Sequence, residues 1–265
     1  MDISLIQSGL FIVMGFFIAA FGTLIGAGGG IFFVPIFLYF FGWEPTQVIG
    51  TSLTIVMFNA LSGSYAYVKQ KKVIYRAALW FSLATIPGAI IGAIWSNYFT
   101  GMTFRLAFGI LLLFIASIMA FKNWQKGRAT TQTTSEEDLP MDQVKFSMPV
   151  GIAISFVVGF ISSIFGIGGG VVHVPAMVYL LGFPAHYATA TSHFVLAVSS
   201  VVGVITHFKE GHILYAPAAF SGIGAIAGAQ WGARISKKVK ARSILLLLSF
   251  ALFLLSARLI LTALS

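Results

Sequence analysis

The chain alternates long apolar runs with short polar breaks. Runs at about 5–25, 48–68, 76–96, 102–122, 147–165, 190–208, 216–233 and 243–263 each approach the roughly 20 residues that a helix needs to cross a bilayer. They predict eight full-length transmembrane helices. Two shorter apolar pieces, 31–42 and 171–182, are too brief to cross and read as half-helices or re-entrant arms. Each follows a glycine run, "GAGGGIFFVP" from Gly26 and "GIGGGVVHVP" from Gly166. Glycine inside a helix costs about 1 kcal/mol relative to alanine, so three in succession should break one. The pattern predicts a chain that turns inside the membrane twice.

The two breaks belong to an internal repeat. The offset that carries Gly26 onto Gly166 also aligns Pro35 with Pro175, Gly42 with Gly182, Thr51-Ser52 with Thr191-Ser192, Tyr75 with Tyr215, and Gly88 and Gly92 with Gly228 and Gly232. These matches fall on Gly, Pro, Thr and Ser, so shared apolar composition does not produce them. A first membrane repeat at 1–122 and a second at 147–265 flank a polar linker at 123–146, which carries four of the seven acidic residues and reads as flexible.

Composition narrows the class. With 58% apolar residues, 9% charged residues and 26 phenylalanines, no water-soluble domain of this size could hide its apolar surface. The absence of cysteine excludes disulfides, thiolate metal sites and cysteine nucleophiles. A net charge of +9 would suggest nucleic acid in a soluble protein, but here the basic residues gather at helix ends, where they orient the chain. No nucleic-acid partner is expected; the lipid bilayer is.

Lys69, Lys71, Lys72 and Arg76 share one loop, Lys122, Lys126 and Arg128 open the linker, and Arg234, Lys237, Lys238, Lys240 and Arg242 share a third segment. Placing all three in the cytoplasm requires each glycine-bearing segment to enter the membrane and return to its starting side. The expected fold is therefore an all-α polytopic membrane protein of two inverted-topology repeats with both termini outside. Asp2 stands where a secretory signal would carry a basic residue, so the first helix is expected to be retained.

The duplicated G-x-G-G-G-x-x-x-V-P element (Gly26 to Pro35, Gly166 to Pro175), the T-S pair after each proline and the downstream G-A-x-x-G-A (Gly88 to Ala93, Gly228 to Ala233) resemble the TauE/SafE family of sulfite and organosulfonate exporters. The resemblance covers nearly the whole chain. It implies a secondary transporter of the bacterial inner membrane that moves a small sulfur-containing or carboxylate anion.

Irregular backbone survives at membrane depth only when buried in protein or lining a polar cavity. The residues of Gly28, Gly29, Gly30, Gly168, Gly169 and Gly170 are candidates to close their amides around an oxyanion at half-helix N-termini. The alternative is that they only permit close packing. Hydroxyls of Thr51, Ser52, Thr191 and Ser192 are further candidates, against the alternative of bonding back to their own helices. Asn59 and its counterpart Ser199 follow on the same helices.

Every acidic residue falls in a tail, loop or linker, whereas all five histidines lie in the second half. Substrate-facing roles are assigned to His193 and His173, which also become the candidates for proton coupling; His207 reads as structural and His186 and His212 as loop residues. No metal and no cofactor is expected. Two further function classes are an anion channel and an intramembrane enzyme, the latter weak because Ser192 and His193 point about 100° apart on a helix. The identity of the anion, the direction of transport and the oligomeric state stay open.

Overall fold

The computed structural model describes residues 4–98, 101–128 and 146–264. Among these, α1 (Leu5–Leu24), α2 (Gly30–Phe40), α3 (Pro45–Lys69), α4 (Tyr75–Trp95) and α5 (Gly101–Arg128) make up the first half, and α6 (Met148–Phe165), α7 (Gly170–Tyr179), α8 (Ala185–Lys209), α9 (Tyr215–Ser236) and α10 (Ala241–Leu264) the second. Seven of these are long and apolar enough to span a membrane. The eighth long helix, α9, has the length but is built largely of Gly, Ala and Ser. At 1.5 Å per residue, the 11 residues of α2 and 10 of α7 reach roughly 16 and 15 Å, about half of a hydrocarbon core.

Helix boundaries follow local chemistry. Ser4 caps α1 in a reciprocal capping box with Gln7. Pro45 occupies the first turn of α3 and Pro184 caps α8, so both helices begin before the apolar runs expected at 48 and 190, including polar residues at their starts. Helix α5 continues past the expected end at 122, and most of the linker lies outside the described residues.

Packing between the halves is reciprocal. A Cβ placed on Gly224, Gly228 or Gly232 of α9 would lie 2.0–2.1 Å from the carbonyl oxygens of Ile12, Phe16 and Ala20, so α1 and α9 run parallel in backbone contact. Gly88 and Gly92 of α4 meet Phe156 and Phe160 of α6 in the same way. Small residues at a spacing of four let membrane helices approach this closely. By contrast, α3 and α8 cross antiparallel, Ser64 near His193 and Leu53 near Gly203, as do α5 and α10, with Gly109 near Ile260 and Ala116 near Ser249. In these two equivalent pairs the helices therefore run in opposite directions.

The surface is turned inside out relative to a soluble protein. Phe17, Phe114 and Phe250 are 61%, 63% and 66% exposed, while Thr23, Thr51, Ser52, Asn59, Thr191, Ser192 and His193 are wholly buried. Lipid accounts for the first group. The second defines the interior to be explained.

Candidate functional site

The two glycine breaks meet at the centre. A Cβ on Gly170 would stand 2.1 Å from the Gly26 carbonyl oxygen, and one on Gly30 would stand 2.8 Å from the Gly166 oxygen and the Ile167 backbone. Gly29 and Gly169 cap α2 and α7 with φ of 82° and 72°, in the left-handed region that glycine reaches without strain. Close packing and backbone reversal are thus both present. In the first break the amides of Ala27 and Gly28 close onto the Gly22 carbonyl, which removes Gly28 N–H from any nest at the start of α2. Gly28 and Gly168 both pack against the side chains of Val56 and Leu196, equivalent residues of α3 and α8.

Beside this centre lie two matched pockets with different linings. In the first, Thr23 donates to the side-chain carbonyl of Asn59, Asn59 Nδ2 donates to the Gly28 carbonyl at 2.7 Å, and Tyr67 donates to the Thr23 carbonyl at 2.8 Å. His193 enters from α8, its ring centroid 5.6 Å from that of Tyr67 and its Nε2 against Gly63. The second pocket holds Ser163 and His207, with Leu53 of α3 entering against Gly203, while the Ser199 hydroxyl bonds back to the Leu196 carbonyl of its own helix at 3.3 Å. His207 Nε2 lies 3.2 Å from the Ser163 carbonyl, repeating the contact that Tyr67 makes in the first pocket.

His193 therefore belongs to the second half in sequence and to the first half's pocket in space. Neither ring nitrogen makes a well-formed hydrogen bond, the Asn59 backbone being a polar neighbour, and the hydroxyls of Ser192, Ser162 and Ser163 have no partner among the described residues. A buried polar group without a partner costs about 1–3 kcal/mol, so each of these calls for an explanation. Ser192 and His193 form no nucleophile–base pair with each other. Ser52, the counterpart of Ser192, donates to the Gly166 carbonyl at 2.9 Å.

Other candidates lie elsewhere. Thr51 Oγ1 accepts from Leu214 N–H at 3.0 Å and Thr191 Oγ1 from Ile74 N–H at 3.1 Å, so each ties down the residue that precedes a helix in the opposite half. His173 turns towards α6 and α4, with Nε2 3.2 Å from the Ser155 hydroxyl and its ring beside Phe81. The structure thus brings together the glycine runs, Asn59 and His193, and not His173. Sequence reasoning missed Thr23, Gly63, Tyr67, Val56 and Leu196. Tyr67 stands at the repeat offset from His207, a correspondence that the sequence offers without marking the tyrosine as a site residue; Val56 and Leu196 carry no chemical signal.

No group of three or more His, Asp or Glu side chains able to hold a metal comes together among the described residues.

At the end of α8, the facing Nδ1 atoms of His207 and His212 are 3.2 Å apart, a contact that requires one nitrogen to donate and the other to accept. Burial lowers the His212 pKa from its ordinary 6.5, with the Glu210 carboxylate opposing the shift. Because the folded-state value is depressed, the stability His212 contributes is present above about 6.5 and is lost as pH falls through the folded value. The melting temperature in detergent is expected to fall from pH 8 to pH 5, with a shallower slope in His212→Gln. An identical slope in the variant would exclude this residue as its source.

The family of sulfite exporters TauE/SafE matches residues 11–259, nearly the whole membrane region just described. The chain belongs to this family. It is 36% identical to the probable membrane transporter protein YunE of Bacillus subtilis, covering 95% of this chain and 96% of that one. A probable membrane transporter protein of Methanocaldococcus jannaschii is 26% identical over 91% of this chain and 90% of its own length. One from Haemophilus influenzae is 33% identical over 68% and 64%. No solved structure matches. This TauE/SafE member is a multi-pass membrane protein of a transporter family.

Proposed function

We propose that the chain is a secondary transporter that exports a small anion, such as sulfite or a short organosulfonate, by alternating access to a site between inverted halves. The observation that carries this reading is His193, wholly buried beside Tyr67 and Gly63 in the pocket next to the glycine breaks, with neither ring nitrogen in a well-formed hydrogen bond. Asn59, Gly28 to Gly30, Gly168 to Gly170, Ser52 and Ser192 surround the same centre, with Thr51 and Thr191 holding its helices. The described carboxylates, Glu44 and Glu210, are exposed at helix ends, so an anion meets no fixed negative charge there. A protonated imidazole supplies the positive charge and the coupled proton. The antiparallel course of α3 against α8 and of α5 against α10 supports the inverted arrangement, and the basic loops support a cytoplasmic face at Lys69 to Arg76 and at Lys237 to Lys240.

Purified protein in liposomes should move one or more of sulfite, thiosulfate, sulfoacetate, taurine and acetate at carrier rates. Currents beyond carrier turnover would make it a channel, and no flux of any anion would refute the proposal. Single cysteines at the two basic loops should react with an impermeant thiol reagent only from the cytoplasmic side; outside labelling of both would refute the orientation.

A further inference from the structure

A cavity of about 270 Å³ opens at one end of the molecule, lined by Tyr67, Gln70, Lys72, His186, Ser236 and Lys237. Three of the six are basic and none is acidic. At about 30 Å³ per water in the liquid, the space equals roughly nine waters, enough for a small oxyanion with part of its hydration shell. The lining is held in place: Gln70 Nε2 donates to the Ala233 carbonyl at 2.9 Å, and Lys72 Nζ sits 5.1 Å from the Tyr187 ring centroid. Tyr67 is a buried part of this lining. Beyond it stands His193, whose ring nitrogens make no well-formed hydrogen bond, and the Tyr67 hydroxyl bonds the Thr23 carbonyl just before the first glycine break.

The opposite end carries the same positions with different chemistry. The repeat offset puts Glu210 in place of Gln70, His212 in place of Lys72 and Asn97 in place of Lys237. Positive charge concentrated in a recess of low dielectric focuses potential and raises the local concentration of an anion by 10-fold or more. Lysines that served only to orient the chain would not need to line a recess above the buried histidine.

We infer that this cavity is a capture site for the anion on the face bearing the Lys69 to Arg76 loop, with Lys72 and Lys237 as its binding cations and Tyr67 as the barrier to His193; this rests on the anion transport proposed above. The site serves one face only. Lys71 and Lys238, each adjacent in sequence and exposed like Lys237 but outside the cavity lining, carry the same charge and act as the control.

The test uses the full chain in vesicles of neutral lipid, sorted by orientation, with whichever of sulfite, thiosulfate or sulfoacetate moves. Lys72→Gln with Lys237→Gln should raise the half-saturating concentration about tenfold from the loop-bearing face and leave the other face unchanged, an effect that shrinks as salt rises. Lys71→Gln with Lys238→Gln should change it less than about twofold. Independently of flux, Gln70→Cys or Ser236→Cys in this cysteine-free chain should react more slowly with a maleimide when sulfoacetate is present, in lipid-free detergent, which separates a soluble anion from a lipid headgroup.

Normal flux with neither a side-specific shift nor protection would overturn the capture site and leave transport standing. Equal shifts from both double variants would overturn it in favour of diffuse surface charge. Protection without flux of any anion would uphold the capture site while refuting the transporter reading.

Discussion

Replacing Gly170 with alanine is expected to abolish transport and to lower the melting temperature by about 5–10 °C. Gly170 opens α7 with a backbone that any residue can adopt, so alanine meets no conformational penalty there. The obstacle is the Gly26 carbonyl oxygen at 2.1 Å, with Ala27 Cα at 3.0 Å. A flexible side chain could move aside, but this is the backbone of the opposing break, itself packed against Thr189 and Val174. Overpacking of this kind costs about 1–3 kcal/mol, and each kcal/mol lowers melting by about 2–4 °C at this chain length. Gly182→Ala is the control, because φ there is 72° but a Cβ would meet nothing within 4 Å. It should carry the left-handed strain of about 1–2 kcal/mol and still transport. Wild-type transport by Gly170→Ala would mean that the two breaks do not pack against each other.

That contact also marks where the sequence stops being informative. The glycine runs, the repeat offset and the lengths of the apolar runs made the broken helices and the duplicated architecture legible, because each is a local property of the chain. The G-A-x-x-G-A elements were visible as a repeated motif, and their role appears only when Phe16 and Ala20 are seen against Gly228 and Gly232. Thr51 and Thr191 looked like substrate ligands because a buried hydroxyl needs a partner. The partners are backbone amides at Leu214 and Ile74, in the opposite half, and no local pattern announces them. His193 was legible as a candidate but not as a resident of the first half's pocket, since that placement comes from the antiparallel crossing of α3 and α8. The same crossing gives Leu53 to the other pocket. One substitution at equivalent positions thus puts an imidazole against Gly63 in one pocket and an apolar side chain against Gly203 in the other.

Replacing His193 with glutamine is expected to remove the pH dependence of anion affinity between about pH 5.5 and 8, the range in which an imidazole can take up its proton together with the anion. An imidazolium with no counter-charge is costly inside a protein, and so is an anion with no cation beside it. In one pocket each offsets the other's cost, so proton and anion bind cooperatively, and the coupling is reciprocal. With one proton taken up per anion, wild-type affinity should rise by up to about tenfold for each unit of acidification. Sulfoacetate is the better probe, because a sulfonate keeps its charge throughout this range whereas sulfite takes up a proton within it. Glutamine preserves approximate size and hydrogen bonding while losing the titratable site, so binding at fixed high pH should fall little as the slope flattens. His173→Gln should leave most of the slope intact, since its imidazole faces the Ser155 hydroxyl away from the centre. An unchanged slope in His193→Gln and in the double variant with His173→Gln would make transport uncoupled or driven by another ion. Both histidines would then be interhelical packing groups, and the ring nitrogens of His193 would need a different occupant.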